Sequence, residues 1–113
     1  MTADQFRRIA LDLPGTAESA HMHHPDFRVN GRIFATLGYP NDGYGMVKLS
    51  LEKQHEFTLT APDIFSHVNG AWGRQGCTSV HLKAAKVAVL RQAMTSAWRN
   101  AAPKRVVKAT ALR

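Results

Sequence analysis

With 113 residues and a mass of 12.5 kDa, the chain has room for one compact domain and not for two. Apolar residues make up 44% and charged ones 20%, which supplies a modest core and excludes wholesale disorder, and no apolar run approaches the roughly 20 residues of a bilayer span. The formal charge is +7 with an isoelectric point near 10.2, a balance that favours anionic partners.

The first predicted element is a helix. Thr2 and Gln5 have capping-box spacing, Phe6, Ile9, Ala10 and Leu13 recur on one face, and Pro14-Gly15 ends the pattern. Ser19 to His24 reads as a short extended segment. Asp26-Phe27-Arg28-Val29 alternates polar and apolar as a half-buried strand does, and Asn30-Gly31 follows at once. Both residues of that pair tolerate positive φ, so a type I′ hairpin is expected, returning through Arg32-Ile33-Phe34-Ala35-Thr36-Leu37. Gly38 to Gly45, rich in glycine with Pro40, Asn41 and Asp42, reads as a loop before a strand over Met46 to Leu51. A short helix should run to about Leu59 with Leu51, His55 and Leu59 on one face. Ala61-Pro62-Asp63 breaks the chain, Ile64 to Cys77 reads as irregular, and Thr78 to Leu82 alternates as a strand. From Lys83 to about Asn100 a long helix is expected, with Val87, Leu90, Met94, Ala97 and Trp98 as its apolar stripe and Pro103 as its stop.

These elements describe an α+β, two-layer domain: a mostly antiparallel sheet with helices packed on one face. The domain is expected over residues 1–103, followed by a basic tail over 104–113. No internal repeat or linker is visible. The first ten residues hold Asp4, Arg7 and Arg8 and no apolar signal core, and the lone Cys77 cannot close an internal disulfide, so the expected compartment is the cytoplasm.

Charge is distributed unevenly. Up to Asp63 there are six basic residues against all eight acids, whereas from Ile64 to Arg113 there are nine basic residues and no acid. Such asymmetry points to a nucleic-acid surface, set against the alternative of a solvated basic helix. The expected DNA-contacting residues are Trp72, Arg74, Lys83, Lys86, Arg91, Arg99, Lys104, Arg105 and Lys108. Trp72 beside Arg74 in a Gly-flanked loop suits stacking on a base with phosphate nearby, though an aromatic in so small a domain also suits the core. Trp98 belongs to the core stripe. The cations spread around the long helix, which suits phosphate positioning better than base reading.

Other chemistry finds less support. His21, His23 and His24 cluster near Asp26, and His21 and His23 would share a strand face, but the spacing matches no closed zinc pattern, so neither a metal nor a cofactor is expected. Cys77 with His81 four residues on lacks an orienting Asn or Asp, and the carboxylates are scattered. Gly70, Gly73 and Gly76 match no phosphate loop. No catalytic residue is expected, and the chain reads as non-enzymatic.

Two stretches carry a family likeness. Leu13-Pro14-Gly15-Thr16-Ala17-Glu18, with His24-Pro25-x-Phe27-Arg28-Val29-x-Gly31-Arg32-Ile33-Phe34-Ala35, resembles the N-terminal signature of the MmcQ/YjbR family. Trp72-Gly73-Arg74-x-Gly76-x-Thr78-x-Val80-x-Leu82, with Ala97-Trp98-Arg99-Asn100-x-Ala102-Pro103-Lys104-Arg105, resembles its C-terminal half. The likeness spans about Phe6 to Arg105. It implies a CyaY-like α+β fold and a DNA-binding role by structural analogy, with no catalytic residue to carry over. The sequence departs from the family pattern at His21-Met22-His23. The expected function is therefore binding of duplex DNA with weak sequence preference. Two alternatives come from other classes: a protein-interaction or chaperone-like module whose sheet face or 38–45 loop meets an acidic partner, and a small-ligand binder near Trp72 and the histidines. A continuous positive surface would mark the DNA binder, and a concave pocket lined by Trp72, Arg74 and histidine the ligand binder.

Overall fold

The computed structural model describes residues 1–39 and 41–110, with the backbone alone for 109 and 110. Pro40, within the expected loop, and Arg113, within the expected tail, lie outside the described residues. The elements in chain order are α1 (Ala3–Leu11), β1 (Thr16–His21), β2 (His24–Val29), β3 (Arg32–Leu37), β4 (Tyr44–Lys48), α2 (Leu51–Thr60), β5 (Phe65–His67), α3 (Ala71–Arg74), β6 (Cys77–His81), α4 (Val87–Ala101) and α5 (Lys104–Thr110). Six strands form one sheet in the order β1-β2-β3-β4-β6-β5, and every neighbouring pair is antiparallel. This is the α+β, two-layer arrangement expected.

Local chemistry explains the secure elements. The Thr2 hydroxyl accepts from Gln5 N at 3.1 Å while the Gln5 amide oxygen accepts from Thr2 N at 2.9 Å, completing the capping box of α1. Asn30 and Gly31 adopt φ of 51° and 79°, the pair of positive values that a type I′ turn demands.

One face of the sheet makes the core. Phe27, Ala35 and Val47 occupy one cross-strand rung, and Val80 lies beside Gly45 and Phe65 on the next. Helix α4 lies across β3 and β4 on this side, with Leu90, Ala93, Met94, Ala97, Trp98 and Ala101 turned inward. Trp98 is fully buried, and its indole N–H donates to the Pro14 carbonyl at 2.9 Å. Gly45 is where α1 meets the sheet, because a Cβ there would come within 2.6 Å of the Phe6 ring.

Five expectations need correction. The segment 19–24 is not continuous strand: β1 ends at His21, and Met22 and His23 form a turn with φ of 50° and 67°. That turn takes His23 off the strand face it was expected to share with His21. The inward face of α2 is Gln54 and Phe57, whereas Leu51, His55 and Leu59 are exposed. The irregular stretch 64–77 contains β5 and α3, both too short to show periodicity. Helix α4 starts at Val87, which is itself exposed, since Leu82 to Ala84 form a turn. The basic tail carries α5, whose Val106 and Val107 pack against the core.

Candidate functional site

The opposite face of the sheet is the site. Its central rung runs Ser19, Asp26, Thr36, Met46, Ser79 and Ser66 across all six strands. The core helix α4 packs on the other face, so the strand positions that alternate away from the core fall together here.

Asp26 organises one end. Its side chain is 0% exposed and takes three bonds: Arg28 Nε donates to Oδ1 at 2.8 Å, Arg28 Nη2 to Oδ2 at 3.0 Å, and His21 Nδ1 lies 2.8 Å from Oδ2. The Arg28 guanidinium, seconded by His21, holds the Asp26 carboxyl below the usual carboxylate range against the opposing effect of burial. An ionised carboxylate only accepts, so His21 Nδ1 carries the proton and Nε2 is left without a partner among the described residues.

Beside this network the surface sinks into a cavity of about 390 Å³, the size of a small-molecule site. Thr36, Met46 and Cys77 line its sheet side and Val68 the stretch after β5, while His21, Met22 and His24 border it from the first hairpin. Trp72 and Tyr39 complete the wall. The lining is predominantly apolar. His24 and Tyr39 meet edge to face with ring centroids 6.4 Å apart. Trp72 is 67% exposed, so it is not the core plug that its bulk also allowed. Thr36 is only 3% exposed, yet its hydroxyl has no hydrogen-bond partner among the described residues. Burial pushes the Cys77 thiol up, a shift that nearby Lys48 partly offsets.

The segment carrying Trp72 is held from below. Gln54 on α2, 2% exposed, donates from its amide nitrogen to the Gly73 carbonyl at 2.9 Å and the Cys77 carbonyl at 3.1 Å. Gly73 and Gly76 are required for close backbone approach: a Cβ would stand 1.7 Å from the Val68 oxygen in one case and 1.9 Å from the Leu49 oxygen in the other.

The nine residues expected to contact DNA do not share one surface. Trp72 lines the cavity, with Arg74 exposed at the end of the same short helix. Arg91 and Arg99 lie on the far side of the sheet, in a groove of about 560 Å³ bounded by α1, α2 and α4. There Arg91 stands 3.6 Å from Asp12, and Lys53 pairs with Glu56 at 3.2 Å. Lys83 and Lys86 sit in the connection from β6 to α4, and Lys104, Arg105 and Lys108 are exposed on α5. Cys77 and His81 share a face of β6 but are four residues apart along an extended strand, about 13 Å, so they do not form a nucleophile pair. His81 instead stacks on Tyr44 at 5.1 Å. Among the described residues no group of three His, Cys, Asp or Glu is placed to hold a metal ion. Sequence reasoning missed Thr36, Met46 and Gln54, which gave no signal beyond strand alternation and helix spacing.

A family model for YjbR matches residues 11–100, taking in both stretches of motif likeness up to Asn100. Among solved structures the fold is similar to a Deinococcus radiodurans protein, DR2400, which carries the domain DUF419. That likeness has a TM-score of 0.72 at 17% identity, over 99% of this chain and 89% of the other. No curated protein matches the chain. At that identity the structural likeness speaks for fold alone.

Proposed function

The chain belongs to the YjbR family, and from that premise we propose that it is a non-enzymatic binding protein that holds a small molecule with a flat apolar body on the open face of its sheet. One observation carries the reading: an exposed Trp72 and two histidines border a concave, mainly apolar cavity of about 390 Å³. Of the features distinguishing a ligand binder from a DNA binder, the concave pocket is the one found, although Arg74 is not in its wall. The test uses the two tryptophans. In a nitrogen-15 NMR titration with bicyclic aromatic fragments, the Trp72 indole signal should move and that of Trp98, bonded to Pro14, should stay. If no fragment shifts Trp72 selectively, the reading fails.

The second reading, duplex DNA, keeps one specific support: Lys83, Lys86, Lys104, Arg105 and Lys108 are exposed in a half of the chain with no acid. Each neutralised phosphate adds about −0.9 to the slope of log K against log salt. Deleting α5 would also strip Val106 and Val107 from the core, so the charge is better removed by substitution. Fluorescence anisotropy with random duplex should show a steep slope that falls by about 3 in a Lys104→Gln, Arg105→Gln, Lys108→Gln variant. Salt-insensitive binding, or none at low salt, removes this reading. The free, buried Cys77 is the support for placement in a reducing compartment, the cytoplasm. No helix among the described residues is long and apolar enough to cross a membrane.

A further inference from the structure

We propose that the molecule taken by the open face is a planar aromatic acid, its acid group held between His21 and Thr36; the inference rests on the reading of the cavity as a ligand site. The polar groups of the cavity are few, and among those with bonding capacity unmet by the described residues, His21 and Thr36 are the two placed about the buried Asp26. His21 is fixed through Nδ1 by Asp26, so Nε2 is its free nitrogen. Thr36 is nine-tenths buried, and its hydroxyl, without a partner among the described residues, stays open to whatever enters the cavity. The register brings the two together. Thr36 pairs directly with Asp26, the residue that holds His21, and facing residues of an antiparallel pair stand about 4.5–5.5 Å apart. Both border the same cavity, which lets one acid oxygen meet His21 Nε2 while the same or the second oxygen accepts from Thr36 Oγ1–H.

Charge selects an acid over a base. The strand positions on this face carry Arg28 and Lys48 against Asp26 alone, and Asp26 is already engaged by Arg28 and His21. The Cys77 thiol is neutral and repels nothing. The docked acid and Nε2 share one proton in a charge-assisted hydrogen bond, a proton that enters with the ligand as its carboxylic acid, and Arg28 balances Asp26. The apolar remainder, Trp72, Tyr39 and Met46 among it, suits a flat ring body.

The full chain is titrated with naphthalene-2-carboxylate and with neutral 2-naphthylmethanol by isothermal calorimetry, with the Trp72 indole signal locating the site in chains that keep it. The acid should bind about ten-fold tighter or more than the alcohol, the worth of one hydrogen bond to a charged group. In His21→Ala, and separately in Thr36→Val, the ratio should fall toward one, with thermal melts confirming the fold. Trp72→Ala should weaken both probes together and keep the ratio. A ratio near one in the wild type, or one unchanged in His21→Ala, overturns the acid assignment while leaving the cavity reading standing. Failure of both probes overturns the cavity reading as well.

Discussion

Replacing Gln54 with Met tests how the cavity wall is held. The side chains are similar in length, so the substitution removes two hydrogen bonds, to the Gly73 and Cys77 carbonyls, with little change of volume. Neither carbonyl is stripped bare, because Gly76 N still donates to Gly73 O and Val68 N to Cys77 O, each at 3.1 Å. The loss is therefore that of two ordinary buried bonds, about 2 kcal/mol, without the larger penalty of an orphaned acceptor. At about 4 °C per kcal/mol for a domain of this size, the midpoint of a thermal circular-dichroism melt should fall by about 8 °C. Gln54→Ala should lose about 1–2 kcal/mol more through the space it leaves. The effect should also be local: hydrogen exchange at the amides of Val68, Gly76 and Cys77 should accelerate more than exchange in α4. An aromatic probe should bind the Met variant more weakly even well below its melting point, because Trp72 stands on the segment that Gln54 ties down. A Met variant that melts within about 2 °C of wild type, with unchanged exchange, would refute the reasoning.

Other consequences are open to measurement. Gly73→Ala and Gly76→Ala drive a methyl into backbone oxygens 1.7 and 1.9 Å away, so each should abolish a cooperative melt or lower it by more than about 3 kcal/mol. Gly15→Ala, with open space around it and φ of 69°, should cost only about 1–2 kcal/mol. Replacing Met22-His23 by Asn-Gly relieves two left-handed non-glycine residues and should raise the melting point by roughly 4–8 °C, and an unchanged midpoint would show that the turn holds no strain. Asp26→Asn probes pH linkage. The folded carboxyl lies below its unfolded value because of Arg28 and His21, so its stabilisation is present above the unfolded range and disappears as pH falls through the folded value. The gap in melting point between wild type and variant should thus be widest near about pH 7 and close on acidification below about pH 4, whereas a constant gap would contradict the pairing.

What could be read in the sequence was what local chemistry decides. Thr2 with Gln5 and Asn30 with Gly31 act through their own backbones, so spacing alone located them. The first hairpin was hidden because Met22-His23 lacks turn chemistry, and it is the pairing of β1 with β2, tied by His21 to Asp26, that imposes the bend. Helix α2 misled for a related reason. Its apolar residues Leu51 and Leu59 face outward, while the inward place goes to a glutamine whose burial is satisfied only by carbonyls some twenty residues later. Trp72 stood out as a large aromatic among glycines. Thr36 did not, since nothing in Ala35-Thr36-Leu37 shows that the polar residue faces a cavity instead of solvent.

The same distinction governs charge. Along the chain the basic half is unbroken, but folding interleaves the halves: β6 pairs with β4, and α4 packs beside α1 so that Arg91 stands near Asp12. Arg91 on α4 is accordingly offset in part by Asp12, while further exposed cations lie at the β6–α4 connection and on α5. Helix α5 belongs to the core side of the sheet through Val106 and Val107, whereas the cavity opens on the other side. A phosphate surface and a ligand cavity are then separable properties of one domain. Trp72→Ala should weaken aromatic-probe binding and leave any salt-dependent duplex binding intact, and the triple glutamine variant of α5 should do the reverse. If Trp72→Ala weakened both, the two sides of the sheet would not act independently, and the nucleic acid would have to reach the open face.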